Sequence, residues 1–103
     1  MRHSQLIQIH GTDVKVSRLS LGTAPLGGLF KTVPEAESDA VIHEALDAGI
    51  AYIDTAPLYG YGVGELRVGR GIKGHHRQPV ISTKVGRLLR PGKNLEYDKF
   101  PDS

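Results

Sequence analysis

Cysteine is absent from the 103 residues, which excludes disulfides, thiolate metal ligands and a cysteine nucleophile. It says little about compartment, since a cysteine-free protein can work anywhere. No stretch approaches the roughly 20 consecutive apolar residues that a membrane span needs. Met1–His10 carries no apolar run resembling a secretory signal, so cytoplasm is the default expectation. A marked excess of one charge is also lacking: 13 Lys+Arg against 11 Asp+Glu leave +2 at pH 7. That surplus is too small to point to nucleic acid without clustering, and only Arg67–Arg77 is locally basic. With 39% apolar and 23% charged residues the composition is ordinary for a soluble globular domain. The length excludes a complete eight-unit α/β barrel, which needs roughly 250 residues, and equally a two-domain dinucleotide enzyme.

What is present is a regular alternation of elements. Leu6–Val16 alternates apolar and polar side chains around Gly11 and predicts a hairpin over 6–16. A lone hairpin is barely stable in water, so it should rest on a larger body as an apolar cover for one end of a core. Arg18–Thr23 reads as a short strand running into Ala24-Pro25-Leu26-Gly27-Gly28, where glycine and proline forbid a helix and allow close backbone approach to a ligand. From Glu35 to Ala48 the pattern is helical, with Ala36, Ala40, Val41, Leu46 and Ala48 near one stripe. Pro34 fits the first turn, acids cluster early, and Gly49 stands where a C-cap glycine belongs. Ile50–Asp54 is a short apolar strand closing on an acid, followed by the turn-rich Thr55–Gly62. A second helix over about Gly64–Lys73 carries Leu66, Val68 and Ile72, and Pro79–Lys84 forms the third strand. Strand, helix, strand, helix, strand over 18–84 predicts an α/β fold with parallel strands and right-handed crossovers. The tail 86–103 shows no lasting period and reads as a loop.

In a parallel sheet the carboxyl ends of all strands share one edge, where loops and helix N-termini converge and ligands bind. Thr23, Asp54 and Lys84 finish the three strands there. Neighbouring strands lie about 4.8 Å apart, so Asp54 and Lys84 can form a contact ion pair, and Tyr59 in the following loop can fold back over it. A tyrosine phenol releases its proton reluctantly near neutral pH, but an adjacent ammonium stabilises the phenolate. Lys84 can do this for Tyr59 while Asp54 keeps the ammonium charged and in place. Tyr59 would then act as general acid toward a carbonyl oxygen receiving hydride and, in reverse, as general base for alcohol oxidation. Taken singly, an Asp at a strand end often caps a turn, a Tyr after Pro-Leu packs, and a strand-end Lys is solvated. Their meeting on one edge, with glycines in two of the three loops, is what favours a site.

Other candidates point elsewhere. Gly60-Tyr61-Gly62-Val63-Gly64-Glu65 lacks the Gly-x-Gly-x-x-Gly spacing of a Rossmann loop, and Thr55–Leu58 separates it from the strand. His75 and His76, with Arg67, Arg70, Lys73 and Arg77, gather at a helix C-terminus, where cations face the dipole. His43 has no second ligand at metal spacing. Neither a metal nor a nucleic-acid partner is expected.

Asp54-Thr55-Ala56-Pro57-Leu58-Tyr59-Gly60, standing 30 residues before the Lys84 of Ser82-Thr83-Lys84, has Gly22-Thr23-Ala24-Pro25-Leu26-Gly27 ahead of it and Ala45-Leu46-Asp47-Ala48-Gly49-Ile50 between. In order and spacing these motifs resemble the aldo-keto reductase family over about Leu6–Arg90. Within it, Pro25–Phe30, Tyr59–Gly62 and Thr83–Pro91 are similar to the branch of D-threo-aldose, L-fucose and pyridoxal dehydrogenases. The resemblance implies a (β/α)8 barrel plugged by an N-terminal hairpin, and hydride transfer between NADP or NAD and a sugar or other aldehyde or ketone. It implies that Tyr59 is the proton donor, that Asp54 and Lys84 are its partners, and that the Gly22-Thr23 backbone and the Asp54 side chain lie near the nicotinamide ribose.

The family's catalytic histidine follows a fourth strand, and most of its cofactor contacts come from later elements. The chain is therefore expected to be the first three β/α units of an eight-unit enzyme. A three-stranded parallel piece has two open edges, so the expectation is marginal folding or self-association, and inactivity in isolation. The competing expectation is a non-catalytic chain that only associates or binds ligand.

Overall fold

Strands β1 (Leu6–Gln8) and β2 (Lys15–Ser17) pair antiparallel, Leu6 opposite Ser17 and Gln8 opposite Lys15. The computed structural model describes residues 2–28, 31–86 and 89. The hairpin turn is closed by the Ile9 N–H on the Val14 carbonyl at 2.8 Å, with Gly11 at φ +78°. Polar contacts join the hairpin to the body: the buried Ser17 Oγ accepts from the Ala51 N–H at 2.8 Å, and His3 Nε2 lies 2.8 Å from the Ala48 carbonyl. Leu6, Ile7, Ile9 and Val14 stay exposed, so the hairpin does not form the expected apolar cover. Ser4 and Leu6 instead edge a cavity of about 420 Å³ shared with Leu46, Ile50 and Pro79, at the amino ends of the strands that follow.

Strands β3 (Leu21–Gly22), β4 (Tyr52–Asp54) and β5 (Val80–Ser82) form a parallel sheet with β4 in the centre. They are shorter than the expected 18–23, 50–54 and 79–84, because ladder pairing covers only the residues that lie level with one another. Helix α1 (Glu35–Asp47) connects β3 to β4, and α2 (Val63–Ile72) connects β4 to β5. The stretch Ala24–Gly27, where a helix is excluded on composition, forms one 3₁₀ turn, η1. Pro25 is tolerated there because an N–H at a helix start has no intrahelical partner, and Gly28 at φ +87° ends the turn. Among the described residues no helix is long and apolar enough to cross a membrane. The expected tail loop 86–103 lies outside the described residues apart from Gly86 and Leu89.

The core lies between the helices and one face of the sheet, and comprises Leu26, Val33, Ile42, Leu46, Ile53 and Val68. Each helix buries only part of the set expected of it: Leu46 of α1 and Val68 of α2 are buried and Ile72 packs against the core, while the other expected residues are exposed. In α1 the buried residues are Ser38, Ile42 and Leu46, while Ala36, Ala40, Val41 and Ala48 face solvent. In α2 they are Gly64, Val68 and Gly71, and Leu66 is 75% exposed. The cause is close helix–helix approach. A Cβ on Gly71 would stand 2.6 Å from Ile42 Cδ1 and 2.9 Å from its Cγ2, so Ile42 occupies the space that the absent side chain leaves. The single methyl of alanine buries little apolar area, so an alanine count does not fix the inward face.

This packing predicts opposite signs for two neighbouring substitutions. Gly69→Ala adds a methyl that meets nothing within 4 Å and should stabilise the chain by about 1 kcal/mol through helix propensity. Gly71→Ala should instead destabilise by about 1–3 kcal/mol, because the fully buried Ile42 cannot yield. Urea unfolding midpoints of the two variants check both signs.

Candidate active site

The parallel register sets Gly22, Asp54 and Ser82 level across the carboxyl edge of the sheet. Thr23, which follows β3, is fully buried. Its N–H and its hydroxyl both donate to the Asp54 main-chain carbonyl, at 3.1 and 2.9 Å, and its own carbonyl accepts from the Leu26 N–H at 3.0 Å. Thr23 therefore ties the ends of β3 and β4 together from beneath, and its side chain does not face the edge as a strand-end residue was expected to. Gly22 has open space where a Cβ would stand, with nothing within 4 Å.

The Asp54 carboxylate is held from two sides. Lys84 Nζ donates to Oδ2 at 2.9 Å, and the Ser82 hydroxyl donates to Oδ1 at 2.6 Å. Lys84 also donates to the Thr55 carbonyl at 3.2 Å, and its ammonium sits 5.2 Å from the centroid of the Tyr59 ring, within cation–π range. Asp54, Tyr59 and Lys84 are thus brought together. Tyr59 and Lys84 line a depression of about 260 Å³ with Ala56, Pro57, Leu58 and Val85. The hydrogen bond from Lys84, then that from Ser82, holds the Asp54 carboxyl below the usual aspartate range against a smaller desolvation effect. Conversely, the hydrogen bond to Asp54 raises the Lys84 ammonium above the usual lysine value, with a further contribution from the Tyr59 phenol.

The loop Thr55–Gly62 presents Tyr59 through backbone geometry that glycine makes possible. Gly60, Tyr61 and Gly62 run consecutively at φ +62°, +57° and +96°, turning the chain into α2. At Gly60 the loop meets η1 backbone to backbone: a Cβ there would lie 2.2 Å from the Gly27 carbonyl oxygen, and one on Gly27 would lie 2.5 Å from the Tyr59 carbonyl carbon. A Cβ on Gly64 would collide with that of Tyr59 at 2.8 Å. Arg67 on α2 closes the same junction by donating to the Leu26 carbonyl at 2.6 Å. The loops after β3 and β4 are therefore one packed unit, with Tyr59 on its rim.

Two residues of this cluster escape a reading that looks only at strand ends. The Tyr52 hydroxyl donates to Ser82 Oγ at 2.9 Å, so Tyr52 and Ser82 stand directly behind Asp54. Period-two alternation carries the signal, because the residues two before Asp54 and two before Lys84 share their sheet face. The basic stretch has partners of its own. Arg70 bonds Glu35 at 2.7 Å and Asp39 at 3.1 Å on α1, His75 Nε2 lies 2.9 Å from Asp47 Oδ1, and Arg77 Nη1 reaches the Leu46 carbonyl at 3.5 Å.

Comparison with known proteins places these features in one family. The model of the aldo/keto reductase family matches residues 18–100. Pyridoxal 4-dehydrogenase of Microbacterium luteolum is 47% identical over 82% of the chain and 25% of its own length. D-threo-aldose 1-dehydrogenase of a Pseudomonas species is 47% identical over 74% of the chain and 23% of its length. The chain thus spans about a quarter of the length of these curated relatives. The solved holo form of an aldo-keto reductase from Bacillus halodurans superimposes with a TM-score of 0.76 at 35% identity, over 89% of this chain and 29% of that one. The hairpin and the three parallel strands with their helices are accordingly the N-terminal portion of a (β/α)8 barrel, and the chain belongs to the aldo/keto reductase family.

Proposed function

We propose that this chain carries the acid–base part of an NAD(P)-dependent oxidoreductase site that moves hydride between the cofactor and a sugar or other aldehyde or ketone, with Tyr59 as the general acid/base. The observation that carries the reading is the double engagement of Lys84, bonded to Asp54 at 2.9 Å and poised 5.2 Å from the Tyr59 ring centroid at the depression. The names of the pyridoxal and D-threo-aldose dehydrogenases support a small substrate that interconverts hydroxyl and carbonyl.

The residues fit the nicotinamide-ribose end of the cofactor. Open space at Gly22 lies beside a carboxylate that makes two hydrogen bonds out of about four lone-pair sites. Asp54 and the Gly22 backbone would border the ribose, with Thr23 fixing that corner through the Asp54 carbonyl. When bound, the nicotinamide supplies or takes up the hydride. Tyr59 delivers its phenolic proton to the substrate oxygen in reduction and accepts the hydroxyl proton in oxidation. Lys84 stabilises the phenolate that remains, and Asp54 keeps the ammonium charged and facing the ring.

In the protein as its source organism makes it, Tyr59→Phe should lower kcat for NAD(P)-linked carbonyl reduction by about 10²- to 10⁴-fold while the circular dichroism spectrum stays unchanged. Retained activity would overturn the assignment, and Lys84→Met should reproduce the loss. The pH dependence has a definite sign. Asp54 titrates below the usual aspartate range and Lys84 above the usual lysine value, so both stay charged between roughly pH 5 and 9. The pair is lost as pH falls through the lowered Asp54 value or rises through the raised Lys84 value. Asp54→Asn removes what raises Lys84, so the alkaline limb of the residual activity should move to lower pH, read from kcat between neutral and strongly alkaline solution.

A further inference from the structure

Behind the ion pair, the sheet face turned away from the helices carries a polar ladder. Tyr52 and Asp54 stand two apart on β4, Ser82 and Lys84 two apart along β5 and its continuation, and Asp54 is level with Ser82. Alternation sends Ile53, fully buried, into the helix layer and these four residues to the opposite face. The contacts run Tyr52 OH to Ser82 Oγ at 2.9 Å, Ser82 Oγ to Asp54 Oδ1 at 2.6 Å, and Lys84 Nζ to Asp54 Oδ2 at 2.9 Å.

The direction of every proton in this ladder is forced. An ionised carboxylate only accepts, so the single proton of Ser82 goes to Asp54, and the Tyr52 hydroxyl must then be the donor to Ser82. Both carboxylate oxygens are thereby anchored from different sides. An Asp carboxylate otherwise rotates freely about its terminal torsion, which is broad and nearly two-fold. The short bond from Ser82 is of the charge-assisted kind and fixes that rotation, leaving Oδ2 aimed at Lys84. Lys84 needs such an anchor, because its side chain is half-exposed and its long stem has many rotamers.

From these contacts we propose that Ser82, backed by Tyr52, is a positioning residue that locks the Asp54 carboxylate so that Lys84 is held at Tyr59. The inference rests on the reading of Tyr59 as the proton donor, and it adds two residues to that group. Asp54 is approached by Lys84 and Ser82 from the β5 side, with Tyr52 behind Ser82 and Tyr59 beyond Lys84. The β3 side offers Gly22 and Thr23, which do not titrate. Glu65 on α2 accepts from Thr83, whose side chain alternates to the other face.

The deciding experiment follows the Asp54 carboxyl carbon by NMR during acid titration of the protein as its source makes it, together with its kcat and KM. Ser82→Ala should raise the Asp54 midpoint toward the usual aspartate range, Ser82→Thr should keep it low, and Tyr52→Phe should move it in the same direction by less. In turnover, Ser82→Ala should lower kcat about ten- to hundredfold with KM nearly unchanged, and Ser82→Thr should restore it. An unmoved midpoint in Ser82→Ala, or a raised midpoint with full kcat where Tyr59→Phe is inactive, overturns the proposal. Should Ser82→Ala not fold, Tyr52→Phe against Ser82→Thr decides the matter by the same readouts. Full activity in Tyr59→Phe would instead remove the acid–base reading, and the titration would then still decide whether Ser82 orders the carboxylate.

Discussion

The pairing register of β4 with its two neighbours governs the whole carboxyl edge. Because side chains alternate with a period of two, a one-residue slip would send Asp54 into the helix layer and bring Ile53 to the open face. Ile53 prevents it. Fully buried among Ile42, Leu46 and Val68, it makes the slipped register cost both its own burial and the burial of an unpaired carboxylate. Apolar packing on one face of the sheet therefore determines where the polar groups stand on the other. Thr23 adds a second lock, since its two donors to the Asp54 carbonyl hold β3 and β4 level where the ladder bonds end.

The loops above the edge depend on a different constraint, the absence of side chains. Gly27 and Gly60 touch along their backbones, and Gly64 lies under Tyr59. The contact lets η1 brace the loop that bears the tyrosine, and Arg67 clamps the junction from α2. A tyrosine on an unbraced loop would sample many orientations, and in the proposed acid–base role a displacement near 1 Å would be enough to degrade proton transfer. The left-handed run Gly60–Gly62 includes a non-glycine, Tyr61. A side chain in that region costs roughly 1–2 kcal/mol, which the surrounding hydrogen bonds, such as Gly62 N–H to the Pro57 carbonyl and Gly64 N–H to the Tyr59 carbonyl, must offset.

These two constraints differ in how far they can be read from the residues alone. The α/β order is legible because short apolar runs alternate with helical stretches bounded by Pro34 and Gly49. Asp54, Tyr59 and Lys84 are legible because they end strands or follow one at short spacing, where parallel topology makes position informative. The buried helix faces are not. In α1 the stripe read from Ala36, Ala40, Val41 and Ala48 lies on the exposed side, and the inward face, Ser38, Ile42 and Leu46, meets Gly71 on a different element. Tyr52 and Ser82 are hidden for another reason. In sequence they look like ordinary strand residues, an aromatic and a small hydroxyl, and their importance arises only when two strands distant in sequence are set level. The exposed apolar side of the hairpin, likewise, follows from what the described chain packs against it and not from its own alternation.

Membership of the family gives the open face of the sheet its physical meaning. The helices cover the Ile53 face, and in a (β/α)8 barrel the helices are outside, so Tyr52, Asp54, Ser82 and Lys84 stand on the face that turns toward the barrel interior. In the described chain the Asp54 and Lys84 side chains are 37% and 51% exposed, and an ion pair so wet contributes little to stability. Enclosure lowers the local dielectric, which strengthens each bond of the ladder and raises the cost of any oxygen left unpaired. A carboxylate with one anchored oxygen would tolerate water but not an interior. One with both oxygens anchored, by Lys84 and by a Ser82 that Tyr52 supports, meets the requirement that enclosure imposes. The ladder is thus suited to a buried setting, where the Lys84 ammonium that stands over the Tyr59 ring would be least screened.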